Sequence, residues 1–306
     1  MEHLTVATRG GALALAQTKT VIALLKKVFP ELQAEIKEIT TSGDSDRKTA
    51  LWNLKDTGFF TSQIEDALLA SGADFAVHSF KDLPTQQRDG LKIAAVCDRN
   101  FVEDCLLCNC PVESIEQLPK GTKIGTSSLR RASQLKHLRP DIEVVPIRGN
   151  VKTRIKKLEG GDYDAIVLAR AGLERLGLEE KISYVFEPAE FISAPAQGAL
   201  AVQTRADDKK TNEIVAVIND RQVEIETAAE RKILTVLQCG CHAPVGAFAK
   251  ITGEQIKIHA FISDLEGKNL IGRMKDGPAA NANSIADNLA KELLTSGGSE
   301  ILQNIK

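Results

Sequence analysis

The sequence predicts an α/β protein made of two open-sheet lobes and a small α+β domain near the C-terminus. About the first two-thirds of the 306 residues alternate short apolar segments with amphipathic ones, the pattern of open α/β sheets. That pattern starts again shortly after residue 98, which indicates a second unit of the same kind. From about residue 210 it changes to a helix, several alternating strands and a final helix. The chain is also long for a single hydrophobic core.

The first lobe begins with the strand LTVATR and a helix from Ala12 to Val28, whose buried side carries Val21, Ile22, Leu24 and Leu25. A strand, a helix that ends at Gly72, and two more strands follow, in the order EIKEITTSG, QIEDALLASG, DFAVHS and KIAAVC. Pro84 lacks an N–H and therefore prevents DFAVHS from continuing as a central strand.

The second lobe repeats this arrangement. Its helix LRRASQLKHL stops before Pro140, and its next helix carries glycine at its end. The segments are, in order, TKIGTSS, LRRASQLKHL, IEVVPIRG, NVKTRIKKLEGG and YDAIVLARAGLERLGL, before QGALAVQTR returns as a strand. We therefore predict lobe 1 from residues 1–98 and 198–216, lobe 2 from 99–197, and an α+β domain from 217–306. Two such lobes would form a cleft in which a ligand meets strand ends.

Composition excludes several classes of protein. The chain has 39 basic and 41 acidic residues, so no overall field attracts nucleic acid or a membrane surface. No apolar run approaches the roughly 18 residues of a membrane-spanning helix. The N-terminal sequence lacks the features of a signal peptide, so we expect a cytoplasmic protein whose six cysteines stay reduced.

Arginines occur where predicted strands turn into helices, namely Arg9, Arg130, Arg131 and Arg148, with Arg154 one helical turn further on. A cation in the first turn of a helix opposes the helix dipole, so stability does not explain this placement. Backbone N–H groups at the same position already favour an anion, and arginine adds a planar fork that fits a carboxylate. The pattern predicts a polyanionic ligand.

The segment VHSFKDLP places His78, Ser79, Lys81 and Asp82 at a strand end, before a turn fixed by proline. Lys81 favours the ionised form of Asp82, and loops at strand ends commonly carry chemistry. The alternative is that Asp82 only caps the next segment.

Two cysteine motifs remain open at this point. Cys239 and Cys241 lie in CGCHAPVG and are compatible with half a metal site, a disulfide, a nucleophile or an attachment point. Cys105, Cys108 and Cys110 in DCLLCNC have spacings found in metal sites. Zinc needs four ligands in paired spacings and no matching partner pair is evident, so we expect no metal there.

Six blocks occur in an order that resembles the porphobilinogen deaminase (hydroxymethylbilane synthase) family of tetrapyrrole biosynthesis. They are ATRGGALALAQ, VHSFKDLP, GTSSLRRASQL, IRGNVKTRIKKLEGGDYDAIVLARAGLERL, APAQGALAV and CGCHAPVGAFA. The resemblance implies two periplasmic-binding-protein-like lobes with open mixed sheets and a small third domain. It also implies a monomeric transferase that condenses four porphobilinogen molecules head to tail, with loss of ammonia, to give hydroxymethylbilane.

The resemblance further implies a dipyrromethane cofactor, made from substrate and attached through a thioether to Cys241, while Cys239 replaces a usual glycine. Asp82 matches the catalytic aspartate, which would stabilise the cation left by ammonia and help move protons. The implied cofactor-binding residues are Cys241, Ser79, Lys81, Asp82, Thr126, Ser128, Arg130, Arg131, Arg148 and Gly149. The implied substrate-binding residues are Arg9, Arg148, Arg154, Arg175 and Gln197.

Several positions depart from the family pattern: Thr57 and Ser62 replace lysines, Gln63 and Gln203 replace glutamates, and Ala196 replaces a glycine. We expect these changes to affect turnover rate more than reaction type. The competing hypothesis is a non-catalytic two-lobed anion-binding or sensing protein. That hypothesis explains the lobes and the arginines but gives no reason for Asp82 or for the cysteine turn.

Overall fold

The computed structural model of the chain describes residues 3–41, 61–239 and 243–305. The predictions for Thr57 and Cys241 therefore lie outside the described residues. The chain divides into two compact units. Unit 1 comprises Met1–Asn100 and Gly198–Glu224, and unit 2 comprises Phe101–Gln197 and Ile225–Lys306. The C-terminal segment is thus part of the same compact unit as the second predicted lobe, and its separation as a third domain stays a prediction.

Unit 1 is built on a five-stranded sheet in the order β2-β1-β3-β10-β4. Its strands are β1 (His3–Arg9), β2 (Gln33–Ile39), β3 (Phe75–Ser79), β4 (Leu91–Cys97) and β10 (Leu200–Arg205). β1 runs parallel to β2 and β3, whereas β10 runs antiparallel to β3 and β4. Its helices are α1 (Ala12–Val28), α2 (Ser62–Leu69) and α6 (Lys209–Ala216).

The core of unit 1 follows from the predicted periodicity of α1. Val21 and Leu25 lie one helical turn apart and are fully buried against Val6, Phe75 and Val202 of the sheet. α2 packs Ile64 and Leu68 into a second apolar cluster.

Unit 2 contains a sheet of the same kind, in the order β7-β6-β8-β5-β9. Its strands are β5 (Asp104–Cys108), β6 (Lys123–Gly125), β7 (Glu143–Val145), β8 (Ala165–Ala169) and β9 (Tyr184–Val185). β6 is parallel to β7 and β8, and β5 is antiparallel to β8. Its helices are α3 (Leu129–Leu138), α4 (Val151–Glu159) and α5 (Arg170–Glu174).

The two sheets share one topology, in which three parallel strands are followed by an antiparallel strand that arrives from the other segment of the chain. That strand is β10 in unit 1, just after the crossing at residue 198, and β5 in unit 2, just after the crossing at residue 101. The sequence did not predict DCLLC as a strand, and it is a central one. The predicted strand IEVVPIRG is shorter than expected, because Pro146 cannot donate a ladder hydrogen bond.

The C-terminal part of unit 2 is an antiparallel sheet of β11 (Val245–Thr252), β12 (Gln255–Ser263) and β13 (Leu270–Pro278). It packs against α8 (Ala282–Leu293), which α9 (Ser299–Ile305) follows, and against α7 (Arg221–Leu237). β11 is an edge strand, and two carboxylates of α7 accept its outward N–H groups: Glu230 binds Ala249 N and Glu226 binds Ile251 N. These bonds satisfy an edge that would otherwise be open for pairing. The predicted fold class, two open mixed sheets with a small α+β segment, is confirmed.

Candidate functional site

The first set of predicted site residues lies at the carboxyl edge of the unit 1 sheet. β1 and β3 are parallel neighbours, with Ala7 opposite Ala76, so Arg9 and Ser79 end their strands at the same edge. α1 begins directly after this edge, and Gln17 of α1 exchanges hydrogen bonds with the Ser79 hydroxyl at 2.8 and 3.2 Å. The helix thus fixes the orientation of Ser79.

Asp82 ends a single 3₁₀ turn, Phe80–Asp82, that follows β3. The turn is anchored by the N–H of Phe80, which donates to Ala199 O at 3.0 Å, and by the buried side chains of Phe80 and Leu83. The anchored turn presents the Asp82 carboxylate on the surface of unit 1. Asp82 forms no hydrogen bond or ion pair with the other residues that the structure describes, so no capping bond from it is seen there.

Behind this turn lies a buried hydrogen-bond network centred on Gln203. His78 Nε2 is 3.1 Å from Gln203 Oε1, and Gln203 Nε2 donates to Glu65 at 3.0 Å and to Gln87 at 3.2 Å. Burial lowers the pKa of His78 to about 4, although its hydrogen bond to Gln203 acts in the opposite direction. His78 is therefore an uncharged imidazole at neutral pH. Gln203, one of the departures from the family pattern, is the centre of this network.

The second set of predicted site residues lies at the carboxyl edge of the unit 2 sheet, where β6 and β7 turn into α3 and α4. Ser127 Oγ donates to Ile147 O at 2.7 Å and accepts from Ile147 N at 3.1 Å, which holds the two turns together. Ser128 and Asn150 cap the two helices by accepting from the N–H groups of Arg131 and Thr153. Two helix N-termini thus point toward one sheet edge, an arrangement that favours an anion.

Arg130 and Arg131 are turned inward toward Asp104 at the start of β5. Arg131 donates to Asp104 Oδ1 through Nε at 3.0 Å and Nη2 at 2.7 Å, and Arg130 Nη2 is 2.7 Å from Oδ2. Gln197 donates to the same carboxylate at 3.0 Å. Only 5% of Arg130 and 7% of Arg131 are exposed. Arg130, Arg131 and Gln197, all predicted to bind ligand, therefore bind a buried carboxylate within the protein. The sequence did not indicate this carboxylate.

Asp104 is held ionised by this arrangement. Burial would raise the pKa of its carboxyl group. The charges of Arg130 and Arg131 and the hydrogen bonds from Arg131 and Gln197 outweigh burial and hold that pKa well below its usual range. Two guanidinium groups against one carboxylate leave a net positive charge beneath the strand ends. The signal that could have revealed Asp104 is a single acid at the start of the otherwise apolar segment DCLLC.

Arg148 and Arg154 supply positive charge that no described acid neutralises. Arg154 Nε donates to Gly149 O at 2.8 Å, and Gly149 has φ +114°, so the turn between β7 and α4 orients Arg154. A Cβ at residue 149 would lie 2.7 Å from the Thr153 side chain. Burial and, to a smaller extent, the charges of Arg131 and Arg148 together lower the pKa of Arg154 to about 10. Arg148 Nη2 is buried without a hydrogen-bond partner within the described part of the chain.

The remaining predicted residues are placed as follows. Thr126 Oγ1 accepts from Ser128 N at 3.2 Å, and Arg175 is half-buried at the C-terminal end of α5. Lys81 is half-buried in the turn with Asp82. Cys239 packs against the apolar core of the C-terminal sheet. Cys241 lies outside the described residues.

Across residues 3–41, 61–239 and 243–305, no group of three or more histidine, cysteine or acidic side chains is arranged to hold a metal ion. None of the described helices is both long enough and apolar enough to span a membrane. The edge of unit 2 that carries Arg148 and Arg154 favours an anionic ligand, because guanidinium groups without an acidic partner bind carboxylates or phosphates well.

Comparison with known proteins gives concordant matches. Residues 4–213 match the family model described as porphobilinogen deaminase, dipyromethane cofactor binding domain, and residues 225–295 match the porphobilinogen deaminase C-terminal domain. The chain is 39% identical to the porphobilinogen deaminase of Maridesulfovibrio salexigens over 305 residues, which cover 100% of this chain and 99% of that one. It is 40% identical to the enzyme of Deinococcus radiodurans over 308 residues, covering 100% of both chains.

Similar solved structures have much lower sequence identity. A TRAP periplasmic solute-binding protein from Desulfovibrio salexigens is 12% identical, with a TM-score of 0.43 over 73% of this chain and 74% of that chain. A methionine-binding protein is 13% identical, with a TM-score of 0.43 over 74% of this chain and 93% of that chain.

Proposed function

Because the chain belongs to the porphobilinogen deaminase family and its function is that of this family in tetrapyrrole biosynthesis, we propose a specific assignment of its residues to the reaction. The chain condenses four porphobilinogen molecules head to tail, with release of ammonia, into hydroxymethylbilane. The growing chain is held on a dipyrromethane primer attached through the sulfur of Cys241. The family match supports this enzyme activity over the non-catalytic anion-binding or sensing alternative.

The observation that carries the proposal is the arginine cluster of unit 2, which consists of Arg130, Arg131, Arg148 and Arg154. Each pyrrole ring of porphobilinogen carries an acetate and a propionate, so every addition brings two more carboxylates into the site. Arg148 has a buried N–H group without a described partner, and burial together with the charges of Arg131 and Arg148 lowers the pKa of Arg154. Carboxylates bound by these two arginines would satisfy the first group and neutralise the second.

Arg130, Arg131 and Gln197 have a different part in this proposal. Their donor groups are already engaged with Asp104, so they position the turn before α3 and add a net positive charge beneath it. The hydroxyl groups of Thr126 and Ser128, which can still donate, and the N–H group of Gly149 lie at the same edge and are candidates for hydrogen bonds to ligand carboxylates. In unit 1, Arg9, Ser79 and Lys81 have the equivalent position at the strand ends. Arg175 remains a predicted substrate ligand.

Asp82 carries out the proton transfers in this proposal. Loss of ammonia leaves positive charge on the substrate pyrrole, and an exposed carboxylate can stabilise that cation through the pyrrole N–H. The same carboxylate can then accept the proton that the attacking ring loses, so that a single group serves every addition. Asp82 suits this role because its anchored turn fixes the backbone while the carboxylate makes no bond to another described residue.

The primer supplies a terminal pyrrole whose free α-carbon is the nucleophile. The residues that would hold it are Cys241 by a covalent thioether, and Ser79, Lys81, Asp82, Thr126, Ser128, Arg130, Arg131, Arg148 and Gly149 by polar contacts. The choice of Cys241 over Cys239 is supported by packing, because Cys239 contacts the apolar core of the C-terminal sheet. A sulfur engaged in core packing is poorly placed for attack on a ligand.

The attachment is tested by intact mass spectrometry of the purified chain and of two matched variants, Cys241→Ala and Cys239→Ala. We expect the native chain and Cys239→Ala to carry the added mass of a dipyrromethane and to turn over porphobilinogen. We expect Cys241→Ala to run as the bare polypeptide and to be inactive. A dipyrromethane found on Cys239 by peptide mapping, or normal turnover by Cys241→Ala, would contradict the assignment.

The proposal includes a cytoplasmic location and a monomeric state. The first is the expectation from the sequence, in which the six cysteines are expected to stay reduced. The second follows from the family resemblance alone and is checked by light scattering of the purified protein. Neither nucleic acid nor a membrane is part of the proposed reaction.

A further inference from the structure

Cys108 and Cys110 form a thiol pair that the proposed reaction does not use. They lie at the end of β5, where Cys108 is opposite Ala165 in the ladder with β8. Asp104, which binds the arginines, is at the other end of the same strand, opposite Ala169. Four strand rises separate the two ends, or about 13 Å. The thiol pair is therefore at the edge of the unit 2 sheet opposite the arginine cluster.

The chain bends directly after β5, and this bend brings the two sulfurs together. In an extended segment, side chains two residues apart are separated by about 7 Å. Here Cys108 Sγ and Cys110 Sγ are only 3.0 Å apart. The sulfurs already touch, so little movement is needed to join them.

Neighbouring groups hold the bend in place. Cys108 N donates to Ser183 Oγ at 3.0 Å, Cys108 Sγ donates to Asp164 O at 3.4 Å, and Asn109 Nδ2 donates to Leu158 O at 2.8 Å. These contacts come from three different segments of unit 2. The entropy of bringing the two thiols together has therefore been lost already on folding, which favours ring closure over reaction with a second external thiol.

The two sulfurs differ in access. Cys110 is exposed and Cys108 is half-buried. Burial raises the pKa of Cys108, and its hydrogen bond with Cys110 raises it further. Cys110 is thus the sulfur that an external reagent meets first, and Cys108 is placed to react in the second step. Two thiols are too few for a structural zinc site, which takes four ligands.

We propose that Cys108 and Cys110 are a redox modification site that closes to an intramolecular disulfide by exchange with a low-molecular-weight disulfide such as oxidised glutathione. In the first step the Cys110 thiolate attacks that disulfide and releases one thiol. In the second step Cys108 attacks the Cys110 sulfur of the mixed disulfide, loses its proton and releases the second thiol. One external disulfide is reduced to two thiols and one protein disulfide is formed, so the electrons balance without another oxidant.

Tryptic digestion separates the cysteine pair from Cys239 and Cys241, so the oxidation state of the pair can be read from the mass of one peptide. Trypsin releases residues 100–120 as one peptide that holds Cys105, Cys108 and Cys110, whereas Cys239 and Cys241 fall in a different peptide, 233–250. Cys105 is an internal control, because it is fully buried and burial raises its pKa to about 12. The full-length chain is equilibrated with reduced and oxidised glutathione at several ratios, and the exchange is stopped with acid. The chain is then unfolded and its remaining thiols are labelled with a maleimide near neutral pH, because the thiolate is the reacting form, and peptide 100–120 is weighed.

With excess oxidised glutathione, we expect this peptide to carry one label in place of three in the native chain, and none in place of two in Cys105→Ser, because Cys108 and Cys110 have lost their two hydrogens to a disulfide. Treatment with dithiothreitol before labelling should restore both labels. We expect no such loss in Cys108→Ser or Cys110→Ser. In Cys108→Ser, Cys110 should instead hold one glutathione, because the resolving thiol is missing. Cys110→Ser changes an exposed side chain, so it remains interpretable if Cys108→Ser folds poorly.

Three results would overturn the proposal. The first is a native peptide that holds glutathione on Cys110 without closing a disulfide, and the second is a native peptide that keeps all its thiols at every ratio. A metal ion retained by the native chain in non-denaturing mass spectrometry, and lost in Cys110→Ser, would identify the pair as a metal site instead.

Discussion

The two five-stranded sheets have the same strand order and directions, yet their carboxyl edges carry different electrostatics. In unit 1 the edge presents the exposed carboxylate of Asp82 above a buried network that is neutral at His78 and Gln203. In unit 2 the edge presents Arg148 and Arg154 above a buried ion cluster at Asp104. The topology therefore determines where side chains converge, while a few strand-end residues determine what can bind there.

The buried layers differ for a physical reason. Burying an uncharged imidazole or an amide costs little free energy if the group finds a hydrogen-bond partner, as His78 and Gln203 do. Buried guanidinium groups cannot lose their charge, so Arg130 and Arg131 require the carboxylate of Asp104. Removing one polar group should therefore cost far more free energy of unfolding in unit 2 than in unit 1.

The largest expected effect is that of Asp104→Asn. The change keeps the size of the side chain but leaves two buried cations without their counter-ion, and losses of this kind are about 3–5 kcal/mol. Urea denaturation should show this loss, together with a lower Tm. The matched control is Asp141→Asn, which breaks a surface ion pair with Arg139 at 2.7 Å and should change stability far less. Equal stability of native protein and Asp104→Asn would remove the distinction between the two buried layers.

Asp82→Asn should have the next largest effect, on turnover and not on stability. The variant keeps the turn but loses the charge and most of the proton-accepting ability, so kcat should fall by at least about 10²-fold. Its Tm should match that of the native protein, because Asp82 bonds to no other described residue. The control is Asp89→Asn, an exposed acid of the same unit, which should retain normal turnover. Near-normal kcat in Asp82→Asn would show that this edge does not supply the catalytic carboxylate.

The uncharged imidazole of His78 predicts that the stability of the protein depends on pH. The pKa of His78 is about 4 in the folded protein, against 6.5 in the unfolded chain. Between these two values the unfolded state binds more protons, so acid favours unfolding and stability rises with pH across this window. At pH 5 the two pKa values correspond to a loss of about 2 kcal/mol relative to pH 8.

Replacing the imidazole isolates this contribution from that of the carboxylates. The variant His78→Gln has no group that titrates here, so its stability should fall less than that of the native protein between pH 6.5 and 4. Urea denaturation at several pH values measures the difference. An NMR titration that gives a His78 pKa near 6.5 would contradict the prediction that burial keeps this imidazole uncharged.

The sequence predicted the sheets better than the site. Alternation of apolar and amphipathic segments predicted most strands, because a buried sheet imposes a hydrophobic pattern on every one of them. The central strand β5 was not predicted because DCLLC has only 5 residues and is buried on both faces, so it shows no alternation of apolar and polar residues. Asp82 lies directly after β3, at the strand end that the sequence predicted, since the apolar strand and the proline that follows it are both visible in the local sequence.

The roles of the arginines could not be separated from sequence alone. Arg131 and Arg148 have equivalent positions in the pattern, yet Arg131 binds Asp104 whereas Arg148 Nη2 has no described partner. The difference depends on Asp104, which is 27 residues from Arg131 along the chain. No local spacing indicates that pairing. Gln197 illustrates the same point, because it binds a carboxylate 93 residues away.

The smallest expected effect distinguishes these two kinds of arginine. Arg148→Lys keeps the charge but removes the planar fork, so two parallel hydrogen bonds to a carboxylate become one. We expect kcat/KM for porphobilinogen to fall about tenfold, which corresponds to about 1.4 kcal/mol, with the Tm unchanged. Arg131→Lys should instead lower the Tm, since it disrupts the buried contacts with Asp104.

Arg221→Lys is the control for this pair, because Arg221 is exposed and forms only a surface pair with Glu224. It should change neither quantity. The two roles are distinguished by which quantity changes in each variant. A loss of ligand contacts lowers kcat/KM, and a loss of buried partners lowers the Tm. If Arg148→Lys lowered the Tm while Arg131→Lys lowered only kcat/KM, the two arginines would have exchanged roles. The ligand-binding arginines would then lie on α3 and not at the turn between β7 and α4.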